Sequence, residues 1–165
     1  MSINPFPRSR GFSLIEVVVA MGICSFCLIS IFGLLVVGMK TNTDTVEQSV
    51  AAGLARAVVA DLWSGIGNTS ASTRSPLYKI ALPSGTTASA QPDKTLFFAE
   101  DGTLKANVNQ ARYRVDVSFG ERPSASAPAP MSILVTWPAS ANPTAGQWPS
   151  RHVGNFQVLT ALSLY

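Results

Sequence analysis

The fold is decided by residues 12–39, which read FSLIEVVVAMGICSFCLISIFGLLVVGM. A helix needs about 20 apolar residues to cross the hydrocarbon core of a bilayer, and this segment is longer. The apolar region of a secretory signal peptide is shorter, about 7–15 residues, and a small-residue cleavage site follows it. Here a polar, helical pattern follows instead. The segment therefore predicts a single transmembrane anchor helix.

Charged residues flank this segment unevenly. Arg8 and Arg10 precede it, whereas Lys40 behind it is soon balanced by Asp44 and Glu47. Basic residues near a spanning helix are retained on the cytoplasmic side of a membrane. We therefore expect the N-terminus in the cytoplasm and the rest of the chain on the other side.

One charged residue, Glu16, lies within the apolar segment. A carboxylate inside a spanning helix costs about 2.5–3.5 kcal/mol on insertion scales, and less near the interface. Two interpretations are open. The side chain snorkels to the lipid headgroups, since it lies close to the start of the segment, or it has a function within the membrane.

The residues around Glu16 form a motif. Residues 8–17 read RSRGFSLIEV, which is a short basic leader ending in Gly, then Phe, a small polar residue, two aliphatic residues and Glu. This pattern resembles the processing site of type IV prepilins and type II secretion pseudopilins. Within that superfamily the segment is most similar to PilV-type minor pilins and to the pseudopilins of the Verru_Chthon cassette.

The resemblance implies what is done to the chain. A prepilin peptidase would cleave after Gly11, and the new amine of Phe12 would be methylated. Arg8 and Arg10 would be the basic residues of the leader. Glu16 would assist assembly by pairing with the Phe12 amine of a neighbouring subunit, because a buried carboxylate and a buried ammonium are tolerable only together.

The resemblance also implies partners and a location. The partners would be the prepilin peptidase, other pilin or pseudopilin subunits, the inner-membrane assembly platform and membrane lipid. The chain would first span the inner (cytoplasmic) membrane once and would then enter a periplasmic or extracellular filament. Many major pilins carry a disulfide near the C-terminus, but no Cys follows Cys27. This departure favours a minor pilin or a pseudopilin.

The helical pattern continues beyond the apolar segment. Over residues 40–63 apolar side chains recur at steps of three and four, as on one face of an amphipathic helix. They are Val46, Val50, Leu54, Ala57, Val58 and Leu62, while most of the charged residues fall off this face. Residues 64–68, SGIGN, predict the end of the helix.

Small residues inside the apolar segment leave alternatives open. Gly22, Gly33 and Gly38 each weaken a helix by about 1 kcal/mol relative to Ala. They serve either close helix packing or a local extension of the helix during assembly.

Cys24 and Cys27 have the C-x-x-C spacing of a redox or zinc pair. Without further Cys or His partners we interpret them as small buried apolar side chains.

The remaining residues predict a β-rich globular head. Alternating apolar residues predict strands at 95–99, 112–119, 132–137 and 156–164. Asp101-Gly102 between two apolar runs predicts a hairpin turn. The predicted class is α+β and pilin-like: one long N-terminal α-helix, its first half transmembrane, packed on a small antiparallel sheet.

The predicted organisation of the chain has four parts. They are the leader peptide at 1–11, the transmembrane half of the helix at 12–39, its amphipathic half at 40–63 and the head at 64–165.

Composition and charge exclude several classes of function. The net charge is +3, without a basic cluster, which argues against nucleic-acid binding. With one His and no nucleophile motif, we predict no enzymatic activity, no cofactor and no His-based metal site. Whether the head binds calcium is left open by the sequence. The alternative to a filament subunit is a single-pass, membrane-anchored extracytoplasmic binding module. Such a tether needs neither a cleavable leader nor an intramembrane carboxylate.

Overall fold

The computed structural model describes residues 11–67, 73–83, 92–124, 126–142 and 154–163. The leader residues Arg8 and Arg10 lie outside the described residues. Within the described residues the elements are α1 (Leu14–Gly67), β1 (Lys94–Phe98), β2 (Leu104–Lys105), a 3-10 helix (Val108–Gln110), β3 (Tyr113–Phe119), β4 (Ala129–Trp137) and β5 (Gly154–Leu162). The chain divides into two compact units, Met1–Asp44 and Thr45–Tyr165.

The first unit contains the apolar part of α1. No residue from 11 to 46 is buried, and large side chains such as Phe26 and Leu34 are more than two-thirds exposed. By length and composition alone, α1 can cross a membrane. Such an exposed apolar surface is not stable in water, so this part of the helix needs lipid or other helices around it.

The second unit contains an antiparallel sheet of order β2-β1-β3-β4-β5. The register aligns Leu96, Val115, Val135 and Phe156 in one row across four strands. Every predicted strand is confirmed, with shifted ends: β4 begins at Ala129 and β5 at Gly154. The final predicted strand residue, at position 164, lies outside the described residues.

The Asp101-Gly102 turn is also confirmed, because β1 and β2 pair on either side of it. Gly102 has a φ of 79°, in the left-handed region that Gly adopts without strain. Asp101 Oδ1 accepts hydrogen bonds from the Thr103 amide at 2.9 Å and from the Thr103 hydroxyl at 2.7 Å. These bonds hold the pKa of the Asp101 carboxyl below its ordinary value.

The core lies between the sheet and the second half of α1. The helix contributes Ala51, Leu54, Ala55, Val58 and Leu62, which pack with residues of β1, β3, β4 and β5. The predicted α+β arrangement, a long helix on a small antiparallel sheet, is therefore confirmed.

The buried face of the helix differs from the predicted one. Val46 and Ala57 are exposed, whereas Ala51 and Ala55 are completely buried. A helix can approach a sheet most closely through its smallest side chains, so Ala residues rather than Val46 meet the strands. The prediction is confirmed for Leu54, Val58 and Leu62, which are buried, and for Val50, which packs against the core.

Two acidic residues of α1, predicted to lie off the packed face, are also buried. Glu47 is 8% exposed and pairs with Arg112, just before β3. Asp61 is 7% exposed, and its two carboxylate oxygens accept hydrogen bonds from the amides of Leu77 and Tyr78 at 2.8 and 2.9 Å. Each carboxylate is buried because it has a partner.

The end of α1 lies against the segment that follows it. A Cβ at Gly65 would lie 3.3 Å from Ser75 Cα, so the missing side chain lets the chain fold back closely. The Ser75 amide donates a hydrogen bond to the Ile80 carbonyl at 2.8 Å, and the Ser75 hydroxyl accepts one from the Ile80 amide at 3.0 Å. The helix thus ends where the Gly-rich sequence predicts, and a small hairpin covers its last turns.

Candidate functional site

The predicted site residues lie at the start of α1, where Ser13 caps the helix. The Ser13 amide and hydroxyl both donate to Glu16 Oε2, each at 2.9 Å. In return the Glu16 amide donates to the Ser13 hydroxyl at 3.3 Å. This reciprocal arrangement is a capping box, which satisfies backbone donors that the first helical turn leaves unpaired.

The role of Ser13 was missed by the sequence analysis, although a signal for it existed. Ser13 and Glu16 have the S-x-x-E spacing that precedes an apolar run at a helix start. In the single subunit Glu16 is exposed and is held by its own helix.

Glu16 lies between two shallow apolar grooves on the helix surface. One groove, of about 350 Å³, is lined by Phe12, Glu16, Val17, Ala20, Met21 and Cys24. The other, of about 310 Å³, is lined by Ile15, Glu16, Val19, Ala20 and Ile23.

The predicted scissile bond, between Gly11 and Phe12, lies outside the cap. Gly11 is exposed, and a Cβ added to it would meet no atom within 4 Å. Phe12 is 87% exposed. Among the described residues, the capping hydrogen bonds join Ser13 and Glu16 and do not involve Gly11 or Phe12.

The small residues of the apolar segment have open surroundings. Gly22, Gly33 and Gly38 all lie within the continuous helix, and a Cβ on any of them would meet nothing within 4 Å. The subunit itself therefore does not require Gly there. Cys24 and Cys27 are free thiols and are exposed, so the expectation that they are buried is not met within a single subunit.

The described part of the head offers no cluster of metal ligands, and its two Tyr residues with a shifted pKa lie in or beside the core. Among the described residues, no three His, Cys, Asp or Glu side chains are placed to hold a metal ion. Burial, with a further contribution from Asp61, raises the pKa of the Tyr78 phenol. Burial and the Glu47 carboxylate likewise raise the pKa of Tyr113. Both rings belong to the core and its margin, where they contact Phe98 and Trp137 respectively.

Residues 6–32 match the family model of the prokaryotic N-terminal methylation motif. This chain carries that motif. The matched range includes Gly11, Phe12, Ser13 and Glu16. Together with the exposed apolar helix, the motif fits a membrane-anchored, type IV pilin-like precursor. It supports processing by a prepilin peptidase and assembly with other pilin subunits, which is the role of a structural subunit. Comparison with curated proteins and with solved structures gives no match.

Proposed function

We propose that the chain is a minor pilin or pseudopilin, a structural subunit of a type IV pilus or of a type II secretion-like pseudopilus. Within that class we propose a PilV-type minor pilin or a Verru_Chthon cassette pseudopilin, on the resemblance of the apolar segment. The observation that carries the proposal is the position of Glu16, a capped carboxylate at the start of a continuous, exposed apolar helix and inside the methylation motif.

The proposed processing occurs at the exposed end of this helix. A prepilin peptidase cleaves after Gly11, and the new amine of Phe12 is methylated. Exposure of both residues in the described part of the chain supports access of the peptidase to this bond. Arg8 and Arg10 keep the leader on the cytoplasmic side, where the positive-inside rule places them.

The proposed assembly exchanges lipid for neighbouring helices. Before assembly, the subunit spans the inner membrane once, with residues 12–39 in the bilayer and the head on the extracytoplasmic side. An assembly platform in that membrane then moves it into a periplasmic or extracellular filament. There, Glu16 pairs with the Phe12 amine of an adjacent subunit, because an unpaired charge between packed apolar helices is strongly unfavourable.

A membrane-anchored binding module remains the competing interpretation. It accounts for the apolar helix, but it needs neither the methylation motif nor a carboxylate within the helix. The intact mass of the protein purified from membranes of its native host separates the two. We expect loss of residues 1–11 and the added mass of one methyl group. A full-length, unmethylated chain in cells with an active prepilin peptidase would show that the protein is a tether.

A further inference from the structure

We propose that the outer edge of β5 binds an extended segment of another protein as an additional, antiparallel strand of the sheet. The segment carries apolar side chains at alternate positions and an acidic side chain that faces Arg56. This inference rests on the fold of the second unit and not on the proposed function, so either can fail without the other.

The β5 edge differs from the opposite edge of the sheet. The opposite edge ends in β2, which has only two residues, whereas β5 pairs with β4 in an uninterrupted register of nine residue pairs. Natural proteins protect edge strands by short length, by Lys or Pro, or by bulges. The β5 sequence, GNFQVLTAL, has no charged residue and no Pro, and its regular pairing contains no bulge. The edge of β5 is therefore an unprotected template for another strand.

The pairing with β4 shows which backbone groups of β5 point to this edge. In an antiparallel ladder, alternate residues direct both backbone groups to the same neighbouring strand. The Pro130 carbonyl accepts the Gly120 amide at 2.8 Å, on the β3 side, so Pro130 and every second residue after it point away from β5. The residues opposite them in β5 direct their amides and carbonyls outward, and they are Asn155, Gln157, Leu159 and Ala161. No backbone partner for these groups lies in the described part of the chain.

A groove on the helix side of β5 sets the side-chain pattern of the added strand. It has a volume of about 280 Å³ and lies between β5 and α1. Two apolar residues that border it, Val59 and Val158, are only partly buried against the core. Side chains of a strand alternate between its two faces, so every second side chain of the added strand faces this groove. The lining consists of Ala55, Arg56, Val59, Ala60, Val158 and Thr160.

The charge beside this groove favours an acidic occupant. Arg56 is the charged residue of the lining and is exposed, while β5 contributes no charge. A carboxylate on the groove side of the added strand gains an ion-pair partner, whereas a Lys at the same position meets a like charge. When a peptide adds to a sheet edge, backbone hydrogen bonds supply affinity and the alternate side chains supply specificity.

Amide exchange measured by NMR on the ¹⁵N-labelled full chain in lipid nanodiscs tests the edge first. The amides of Phe156 and Val158 donate to β4, whereas those of Gln157 and Leu159 point outward. In the free protein we expect the outward pair to exchange roughly tenfold faster or more, because a strand-paired amide is protected until the pairing opens.

A blocked peptide of sequence TVTVTVTET is the probe for the added strand. In an antiparallel pair, its Val and Glu side chains face the groove while its Thr amides point toward β5. N-methylation of the Val residues therefore prevents the peptide from pairing with itself and leaves the Thr amides free. At saturation this peptide should slow exchange of the Gln157 and Leu159 amides by roughly tenfold or more.

Two matched peptides separate strand addition from adsorption. The same sequence N-methylated on Thr instead of Val has nearly the same composition but cannot donate to β5, so it should give no protection. The Val-methylated peptide TVTVTVTKT should bind about threefold more weakly at low salt, the size of an exposed ion-pair effect. Arg56→Glu should reverse this preference.

Leu159→Pro tests the edge from the side of the protein. It removes an amide that points outward, a position where an edge strand tolerates Pro, so we expect a urea midpoint near that of the wild type and loss of peptide binding. Leu159→Ala is the matched control, because it removes the exposed side chain but keeps the amide, and it should retain binding. The peptide pair needs no variant and does not depend on the stability of Leu159→Pro.

Several results would overturn the inference and leave the mass test of the proposed function untouched. Slow exchange of the Gln157 and Leu159 amides in the free protein would mean that the chain already covers its own edge. Protection by both methylated peptides, by neither, or by the Thr-methylated one alone would exclude the antiparallel added strand. An unchanged preference for Glu over Lys in Arg56→Glu would show that Arg56 does not select the occupant.

Discussion

Glu47 on α1 forms an ion pair with Arg112 at the entry to β3. The carboxylate is nearly buried, with 10% of its side chain exposed, whereas 38% of the Arg112 side chain is exposed. Glu47 is also the first buried residue of the helix. The pair therefore joins the first packed turn of α1 to the sheet. Because the two partners are buried to different extents, removing one should not cost the same free energy of unfolding as removing the other.

We expect Arg112→Ala to destabilise the head more than Glu47→Ala does. Arg112→Ala leaves the Glu47 carboxylate buried without its partner, which costs about 2–3 kcal/mol. The second leaves a guanidinium that can turn toward water, at a cost of about 1 kcal/mol. Urea unfolding of the full chain in detergent, followed by Trp fluorescence, measures both. Arg56→Ala, at an exposed position of the same helix, is the control, and equal losses for the two partners would contradict the argument.

The head should lose stability at alkaline pH through Tyr78. Burial, and to a lesser extent the Asp61 carboxylate, raises the pKa of this phenol in the folded protein. The contribution is fully present below the unfolded pKa of about 10 and is lost as the pH rises through the higher folded value, because the unfolded chain releases its proton first. Tyr78→Phe should make the urea midpoint fall less steeply over this range. An unchanged slope in the variant would refute this contribution.

Gly11→Leu should block processing without disturbing the precursor. A Cβ at this position meets no atom of the described residues within 4 Å, so we expect the larger side chain to be rejected by the cleft of the peptidase and to leave the fold of the head unchanged. Immunoblots of membrane fractions should show a full-length, inserted precursor, and the urea midpoint of the head should equal that of the wild type. Normal cleavage of the variant would mean that the proposed scissile bond is wrong.

Glu16→Gln should permit insertion and cleavage but reduce incorporation into filaments by roughly tenfold or more, since loss of one buried ion-pair partner costs about 3–5 kcal/mol. The amide keeps the shape of the side chain and removes its charge. The measurement is the fraction of processed protein that co-purifies with filaments sheared from cells. Glu121→Gln, an exposed position in the head, is the matched control. Incorporation of Glu16→Gln at the wild-type level would show that Glu16 merely snorkels.

Local sequence patterns were sufficient for most of the secondary structure. The apolar run and the absence of Pro from residues 12–75 predict the continuous helix. Strict alternation predicts which residues of β3 face the core, from Tyr113 to Phe119. The Asp101-Gly102 turn follows from the conformational freedom of Gly. The cap formed by Ser13 and Glu16 could also be predicted from the sequence, because its hydrogen bonds join residues three positions apart.

What the sequence by itself determined is therefore everything that depends on near neighbours: the helix, its apolar half, the strands, and the motif from Gly11 to Glu16. The tertiary structure alone decided the strand order β2-β1-β3-β4-β5 and the face of α1 that is buried, with Ala51 and Ala55 in place of Val46. It also decided that Glu47 is buried, because its partner Arg112 lies 65 residues away. Periodicity shows that a helix has an apolar face. Which residues of that face are buried depends on which side chains are small enough to let the helix and the sheet approach closely. Whether a charged residue is buried depends on whether it finds a partner elsewhere in the fold.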